Sequence, residues 1–170
     1  IEMQNTIFDM VMEAGAEFGI KPFGIRAMTA MAIEKSYRLI GRELSIEYSA
    51  YESGLDRFVH PNKGQFIGRD RLVERHAAGD NWKYVTMEVH GIKDVDARGS
   101  EAITRDGELV GRATSGGYGW RVGKSLALAM VKPEHGDIGT ELEIKILGDL
   151  YKATIIEESP FDAGNERLRS

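Results

Sequence analysis

An α+β fold, a helical N-terminal segment followed by a small antiparallel β-barrel, is what this sequence of 170 residues predicts. Three observations carry that expectation. Apolar residues recur at helical spacing over the first third. From Trp82 onward the period changes to two. Five or six short alternating runs then follow one another within about 80 residues, parted by turn signals. The change of period at residues 79–81 divides the chain into 1–79, 80–163 and a tail, 164–170.

Taken in order, Ile7, Met10, Val11, Ala14 and Phe18 form one apolar stripe of an amphipathic helix, with Thr6 and Asp9 as a capping box and Gly19 as its stop. After Pro22 and Gly24, residues 25–34 read as a second helix, rich in Ala and Met and expected to be buried. Residues 36–60 show no clean period and are expected to run across a surface. Residues 68–78 read as a short helix with Leu72, Val73 and His76 inward and Gly79 after it. Val85, Met87 and Val89 then alternate with Thr86 and Glu88, as in a half-buried strand. Asp106-Gly107 marks a hairpin, because a type I′ turn needs positive φ at both central positions. Leu126, Leu128 and Met130 alternate again. Residues 141–147 and 150–157 form a further strand pair across Gly148-Asp149, and Pro160 ends the pattern.

Composition excludes several classes. With 42% hydrophobic and 29% charged residues, the chain has the make-up of a globular protein rather than a disordered one. A net charge of −5 without a basic block argues against a nucleic-acid partner. The lack of cysteine removes disulfides, thiolate metal sites and cysteine nucleophiles, and fits a reducing compartment, so the expected location is cytoplasmic. No apolar run reaches the roughly 20 residues needed to span a bilayer, and no membrane partner is expected.

Several motifs invite a chemistry they do not support. Gly123-Lys124-Ser125 has Tyr118 where a phosphate loop needs its first glycine, and a strand-like run follows instead of a helix. Gly117-Tyr-Gly119 lacks a surrounding βαβ unit, and reads as a glycine-rich bend between barrel strands where backbones approach closely. His60, His76, His90 and His135 lack ligand spacing, and Asp94 and Asp96 read as a solvated loop, so no metal site is assigned. Lys35, Arg38, Arg42, Arg57, Lys63, Arg69, Arg71 and Arg75 make the middle of the chain locally basic. That is either a solvated face interspersed with acids or a lure for an anionic ligand such as a polyglutamate tail.

From Phe23 to Phe161 a series of fragments resembles the aminomethyltransferase (glycine-cleavage T-protein) family, in family order. They are Gly24-Ile-Arg-Ala-Met28, Ile33-Glu34-Lys35, Gly41-Arg-Glu43, Tyr51-Glu-Ser-Gly-Leu-Asp56, Lys63-Gly-Gln-Phe-Ile-Gly68, Val110-Gly111, Thr114-Ser-Gly116, Ala127-Leu-Ala129 and Pro160-Phe161. Glu34-Lys35-Ser-Tyr37 and Gly119-Trp-Arg-Val-Gly-Lys124 look closest to the folate-binding portions of dimethylglycine and sarcosine dehydrogenase-like proteins. The resemblance implies that residues 1–79 close the family's folate-binding middle domain and that 80–163 are its C-terminal barrel. Starting at Ile1, the chain is expected to begin within that architecture. The implied activity is transfer of a one-carbon unit from an N-methyl or aminomethyl donor to tetrahydrofolate, with FAD in a separate N-terminal domain if the parent is a dehydrogenase. Two other readings stay open: a folate-dependent demethylase of a sulfonium or O-methyl substrate, and a non-catalytic module that binds folate or protein.

The same resemblance bears on the site. The family's central Asp lies upstream of anything matched here, so no catalytic residue is assigned and the chain alone is expected to be inactive. Glu34 and Tyr37 fall where the pattern implies contact with folate. An arginine of the pattern falls on Met28, with Arg26 two residues away and about 200° round a helix; a second falls on Ala32. Glu34, Tyr37 and Arg26 are the candidate folate-binding residues. Apolar surface that the rest of the architecture would cover should drive self-association, through the stripe from Ile7 to Phe18 or through Met28 to Ile33.

Overall fold

The computed structural model describes residues 2–92 and 94–170. Helix α1 spans Gln4–Gly15 and continues through one 3-10 turn, Ala16–Phe18, to a left-handed Gly19 at φ 68°. Its N-cap is Met3, without a side-chain cap, so the capping box expected at Thr6 does not form. The helix begins three residues earlier, which leaves Thr6 inside the first turn. Helix α2 spans Ile25–Glu34 and α3 spans Arg69–Ala77. Turns and two 3-10 segments fill the stretch between them.

Six strands follow: β1 Lys83–Val89, β2 Ala102–Arg105, β3 Glu108–Gly119, β4 Lys124–Val131, β5 Glu141–Ile146 and β6 Asp149–Ile156. They close into an antiparallel barrel in the order β1-β4-β3-β2-β5-β6, with β6 returning to β1. Asp106 at φ 52° and Gly107 at φ 81° make the expected β2–β3 hairpin. The β5–β6 turn sits one residue earlier than expected, on Leu147 at φ 49° and Gly148 at φ 99°, so Asp149 opens β6 rather than finishing the turn. Glycines 117 and 119 lie within β3 and not in a bend. What comes close to them is side chain and not backbone: a Cβ on Gly117 would stand 3.2 Å from Ile33 Cδ1. A short terminal helix, α4, spans Glu166–Arg169.

The barrel has two apolar layers, one inside and one outside. Val85, Met87, Ile103, Ala127, Ala129, Ile144 and their neighbours fill the interior. On the outer face Tyr84, Leu126, Leu128 and Met130 pack with Ile33 and Tyr48 from the N-terminal segment. Strand β4 is therefore buried on both faces, small residues inward and large ones outward, and Thr86 on β1 is buried too. In β1 and β4 the half-buried pattern expected from alternation is lost, because the N-terminal segment lies over the face that would otherwise meet solvent; β5 keeps it, with Leu142, Ile144 and Ile146 buried and Glu141 and Lys145 exposed.

The helices bury less than expected. In α2 only Ile33 and Glu34 are buried, while Met28 and Met31 are exposed. In α3 Val73 and His76 are exposed. That helix rests on the turn at Tyr51 and Glu52, with the His76 ring stacked on Tyr51 at 3.8 Å and Arg75 paired to Glu52 at 2.7 Å, so it meets no apolar core. Among the described residues no helix is long and apolar enough to cross a membrane.

Candidate functional site

Residues 34–54 turn out to be a polar seam between helix and barrel. Three glutamates are buried in it: Glu34, Glu43 and Glu52. A buried carboxylate is costly unless its oxygens are bonded. Glu52 accepts from the Ser49 and Asn81 amides at 2.7 and 3.0 Å and from Arg75. Glu43 accepts from the Leu39 amide at 2.8 Å and the Ser115 hydroxyl at 2.6 Å. Both carboxylates use their two oxygens.

Glu34 differs. Its Oε1 accepts from the Arg121 amide at 2.6 Å and from that of Val122 at 3.4 Å, which wedges the side chain into the β3–β4 hairpin. A Cβ on Gly119 would come within 3.0 Å of Glu34 Cγ, so the glycine leaves room for the carboxylate. The Glu34 carbonyl in turn accepts from the Phe161 amide at 3.1 Å, bringing the C-terminal segment to the same point. Glu34 Oε2 has no hydrogen-bond partner among the described residues, yet it is not a sealed orphan; the one buried unpartnered side-chain oxygen is Asp80 Oδ1.

Directly after Glu34 the chain reverses at Ser36, a non-glycine residue at φ 56°. The conformation is held by a buried hydroxyl cluster, in which Ser36 Oγ lies 2.7 Å from Tyr84 Oη and 2.8 Å from Thr86 Oγ1. Burial pushes the Tyr84 phenol well above its ordinary value, so this cluster stays neutral. The reversal leaves Tyr37 48% exposed, with Lys35 Nζ 6.0 Å from the centre of its ring. Arg26 stands in the first turn of α2, exposed, eight residues before Glu34, which is about 12 Å along a helix axis. Glu34 is buried against the β3–β4 hairpin, Tyr37 is half-exposed three residues further on, and Arg26 lies at the opposite end of α2.

The basic middle of the chain is largely committed to its own acids. Lys35 pairs with Asp162, Arg38 with Glu158, Arg69 with Asp70, Arg71 with Glu74 and Arg75 with Glu52, while Arg42 reaches main-chain oxygens and Ser115. An open cleft of about 670 Å³ lies elsewhere, on the barrel, lined by Arg105, Asp106, Thr140, Glu141, Glu143 and Lys152 among others. It contains none of the candidate folate-binding residues Glu34, Tyr37 and Arg26. Among the described residues no group of three or more His, Asp or Glu could hold a metal ion. Arg121, Phe161 and the exposed Trp120 at the Glu34 junction were not legible as site residues, because the bonds that assemble them join positions 87 or more apart.

Helix α2 and the segment after it lie on the outside of a closed six-stranded antiparallel barrel, an α+β architecture. Residues 83–162 match the model of the glycine cleavage T-protein C-terminal barrel domain, and residues 1–63 match that of the GCVT N-terminal domain. The chain belongs to the glycine-cleavage T-protein, or aminomethyltransferase, family. It is 38% identical to mitochondrial dimethylglycine dehydrogenase of Mus musculus over 92% of this chain and 18% of the relative. To the Homo sapiens protein of that name it is 39% identical over 89% of this chain and 18% of the relative. To the aminomethyltransferase of Caldanaerobacter subterraneus it is 30% identical over 91% of this chain and 41% of the relative. The chain thus spans less than half the length of these relatives. The crystal structure of the glycine cleavage system aminomethyltransferase T from Bartonella henselae shares the fold, at a TM-score of 0.73 and 20% identity, over 81% of this chain and 38% of that one.

Proposed function

We propose that this chain forms part of a tetrahydrofolate-dependent one-carbon transferase, in which residues 1–79 close the folate-binding domain and 80–163 are the barrel that covers it. The observation that carries this reading is the Glu34 carboxylate, buried and fixed through Oε1 by the hairpin amides, with Oε2 left to accept. A carboxylate oxygen so held suits the N–H edge of a pterin, and the exposed Tyr37, three residues further on, offers a flat apolar face. Tetrahydrofolate, when bound, supplies the nitrogens that accept the one-carbon unit. Glu34 orients the ring edge, Tyr37 shields one side of it, and Arg26 is left to meet only a more distant part of an extended ligand.

The donor is an N-methyl or aminomethyl compound rather than a sulfonium or an O-methyl one. This is supported by identities of 38 and 39% to proteins named dimethylglycine dehydrogenase, against 30 and 31% to the aminomethyltransferases of Caldanaerobacter and Thermoanaerobacter. FAD, if the whole polypeptide uses it, belongs outside these residues.

The test is a titration of tetrahydrofolate into this chain, followed by the thermal midpoint and by the fluorescence of Trp82 and Trp120. Saturable binding is expected, weakened roughly ten-fold or more by Glu34→Gln and also by Tyr37→Ala. Absence of binding, or binding indifferent to both substitutions in folded variants, overturns the reading.

A further inference from the structure

The shortest seam of the barrel runs between β2 and β5. Strand β5 is paired with β6 from Glu141 to Ile146, but with β2 it has register partners only at Ile144, opposite Ile103, and at Glu143, opposite Thr104. A register shift between Ile103 and Thr104 bends β2, and the turn at Asp106 and Gly107 follows at once. Past Thr104 the two strands part, and the open cleft of about 670 Å³ lies in the gap. A rung of the ladder is left unmade there. In an antiparallel ladder the main-chain groups of successive residues point to opposite sides. The Thr140 carbonyl accepts from the Ile155 amide at 3.0 Å, on the β6 side. The amide and carbonyl of Glu141, the next residue, therefore face the cleft, with no strand opposite them among the described residues.

The side chains around the gap carry both signs and leave them unjoined. Glu141, Glu143 and Asp106 supply acids, Arg105 and Lys152 supply bases, and none of the five forms an ion pair among the described residues. Arg105 reaches His135 Nδ1 at 3.3 Å, and Glu143 accepts from the Thr104 hydroxyl at 3.5 Å. Elsewhere on the barrel such neighbours do pair: Lys124 with Glu88, Lys132 with Glu108 and Lys83 with Asp137. An open main-chain rung flanked by unjoined acids and bases suits an extended peptide, which brings a donor and an acceptor on every residue and side chains on alternate faces. A small zwitterion would meet the charges and leave the rung unmade. We propose that this cleft is a docking groove for an extended peptide segment of a partner protein, which adds a short strand beside Glu141. A basic side chain of the segment meets Glu141 and Glu143, and an acidic one meets Arg105 and Lys152. The groove includes none of Glu34, Tyr37 and Arg26, so this inference stands apart from the folate reading.

The probe is the peptide Ser-Lys-Val-Asp-Ser, blocked at both ends, titrated at low ionic strength into the isotope-labelled chain and followed through its main-chain amide signals. Saturable shifts are expected at Thr140, Glu141 and Asp106, with the amides of Arg121 and Val122 unmoved. The same peptide N-methylated at its Lys, Val and Asp amides keeps both charges and loses the donors, and should bind about ten-fold weaker. Glu141 is exposed, so Glu141→Lys leaves the main chain in place. That variant should bind the probe about ten-fold more weakly and prefer Ser-Asp-Val-Asp-Ser, since opposite charges across a strand pair attract and like charges repel. Absence of shifts at Glu141, or binding that N-methylation does not weaken, overturns the strand-pairing groove. Shifts at Glu141 that grow with protein concentration before any peptide is added would give the rung to a second copy of the chain, and overturn the proposal as well.

Discussion

Glu43 and Ser115, 72 residues apart and both wholly buried, are joined by a 2.6 Å hydrogen bond from the Ser115 hydroxyl to Glu43 Oε1. The bond ties the irregular segment after α2 to the point where the β3–β4 register shifts, between Ala113 and Ser115. Arg42 adds a contact to the same hydroxyl at 3.3 Å. Together they decide how the N-terminal segment lies on the barrel, and so where Glu34 meets the hairpin.

Removing that carboxylate should be costly. Glu43→Ala leaves the Leu39 amide and the Ser115 hydroxyl without a partner in a closed seam, and should destabilise the chain by about 2–4 kcal/mol in chemical denaturation. Glu43→Gln keeps an acceptor for one of the two and lets the serine hydroxyl turn round, so its loss should be about 1 kcal/mol. Equal stability of the alanine variant and the unaltered chain would show that the bond is dispensable.

How far the sequence could be read depended on whether the deciding interactions were local. The limits of α2, from Ile25 to Glu34, and the Asp106-Gly107 hairpin follow from periodicity and turn chemistry within a few residues. The six strands were legible for the same reason. The unbroken apolar run from Leu126 to Val131 could have announced a strand buried on both faces, since a half-exposed strand would have shown polar residues at alternate positions. Residues 36–60 were misjudged as surface wandering because Glu43, Glu52, Ser36 and Ser53 are polar, and polarity without period reads as solvent exposure. What buries them is pairing with Ser115, Arg75, Asn81, Tyr84, Thr86 and the Glu43 carbonyl, mostly far along the chain. At the candidate site, Glu34 and Tyr37 were reached through family resemblance, while the free Oε2 and the approach of Arg121 and Phe161 exist only in three dimensions.

Acid should loosen the seam through Glu52. Burial by itself would raise this carboxyl, but the Ser49 and Asn81 amides, the Ser49 hydroxyl and Arg75 outweigh burial and hold it below its ordinary 4.5. A group whose folded value is depressed adds stability above its unfolded value, and that stability is lost as pH falls through the folded value. The thermal midpoint should therefore hold at neutral pH and drop below about pH 4.5. Glu52→Gln should be less stable at neutral pH by about 2–3 kcal/mol and show a smaller acid-dependent drop. An acid profile identical in the two proteins would remove Glu52 as its source.

Helix α1 cannot stand on its own propensity. A helix of 12 residues is marginal in water, and α1 buries none of its side chains while exposing Ile7, Phe8, Met10 and Val11, with Phe18 just beyond it 82% exposed. Such a stripe needs a covering surface, and for this chain in solution the surface at hand is another copy of itself. Sedimentation is expected to show association that grows with concentration. Ile7→Asp together with Val11→Asp should return the chain to a monomer and lower its far-ultraviolet helical signal, as α1 loses its cover. A monomer at high concentration with the helical signal undiminished would show instead that α1 holds without a partner.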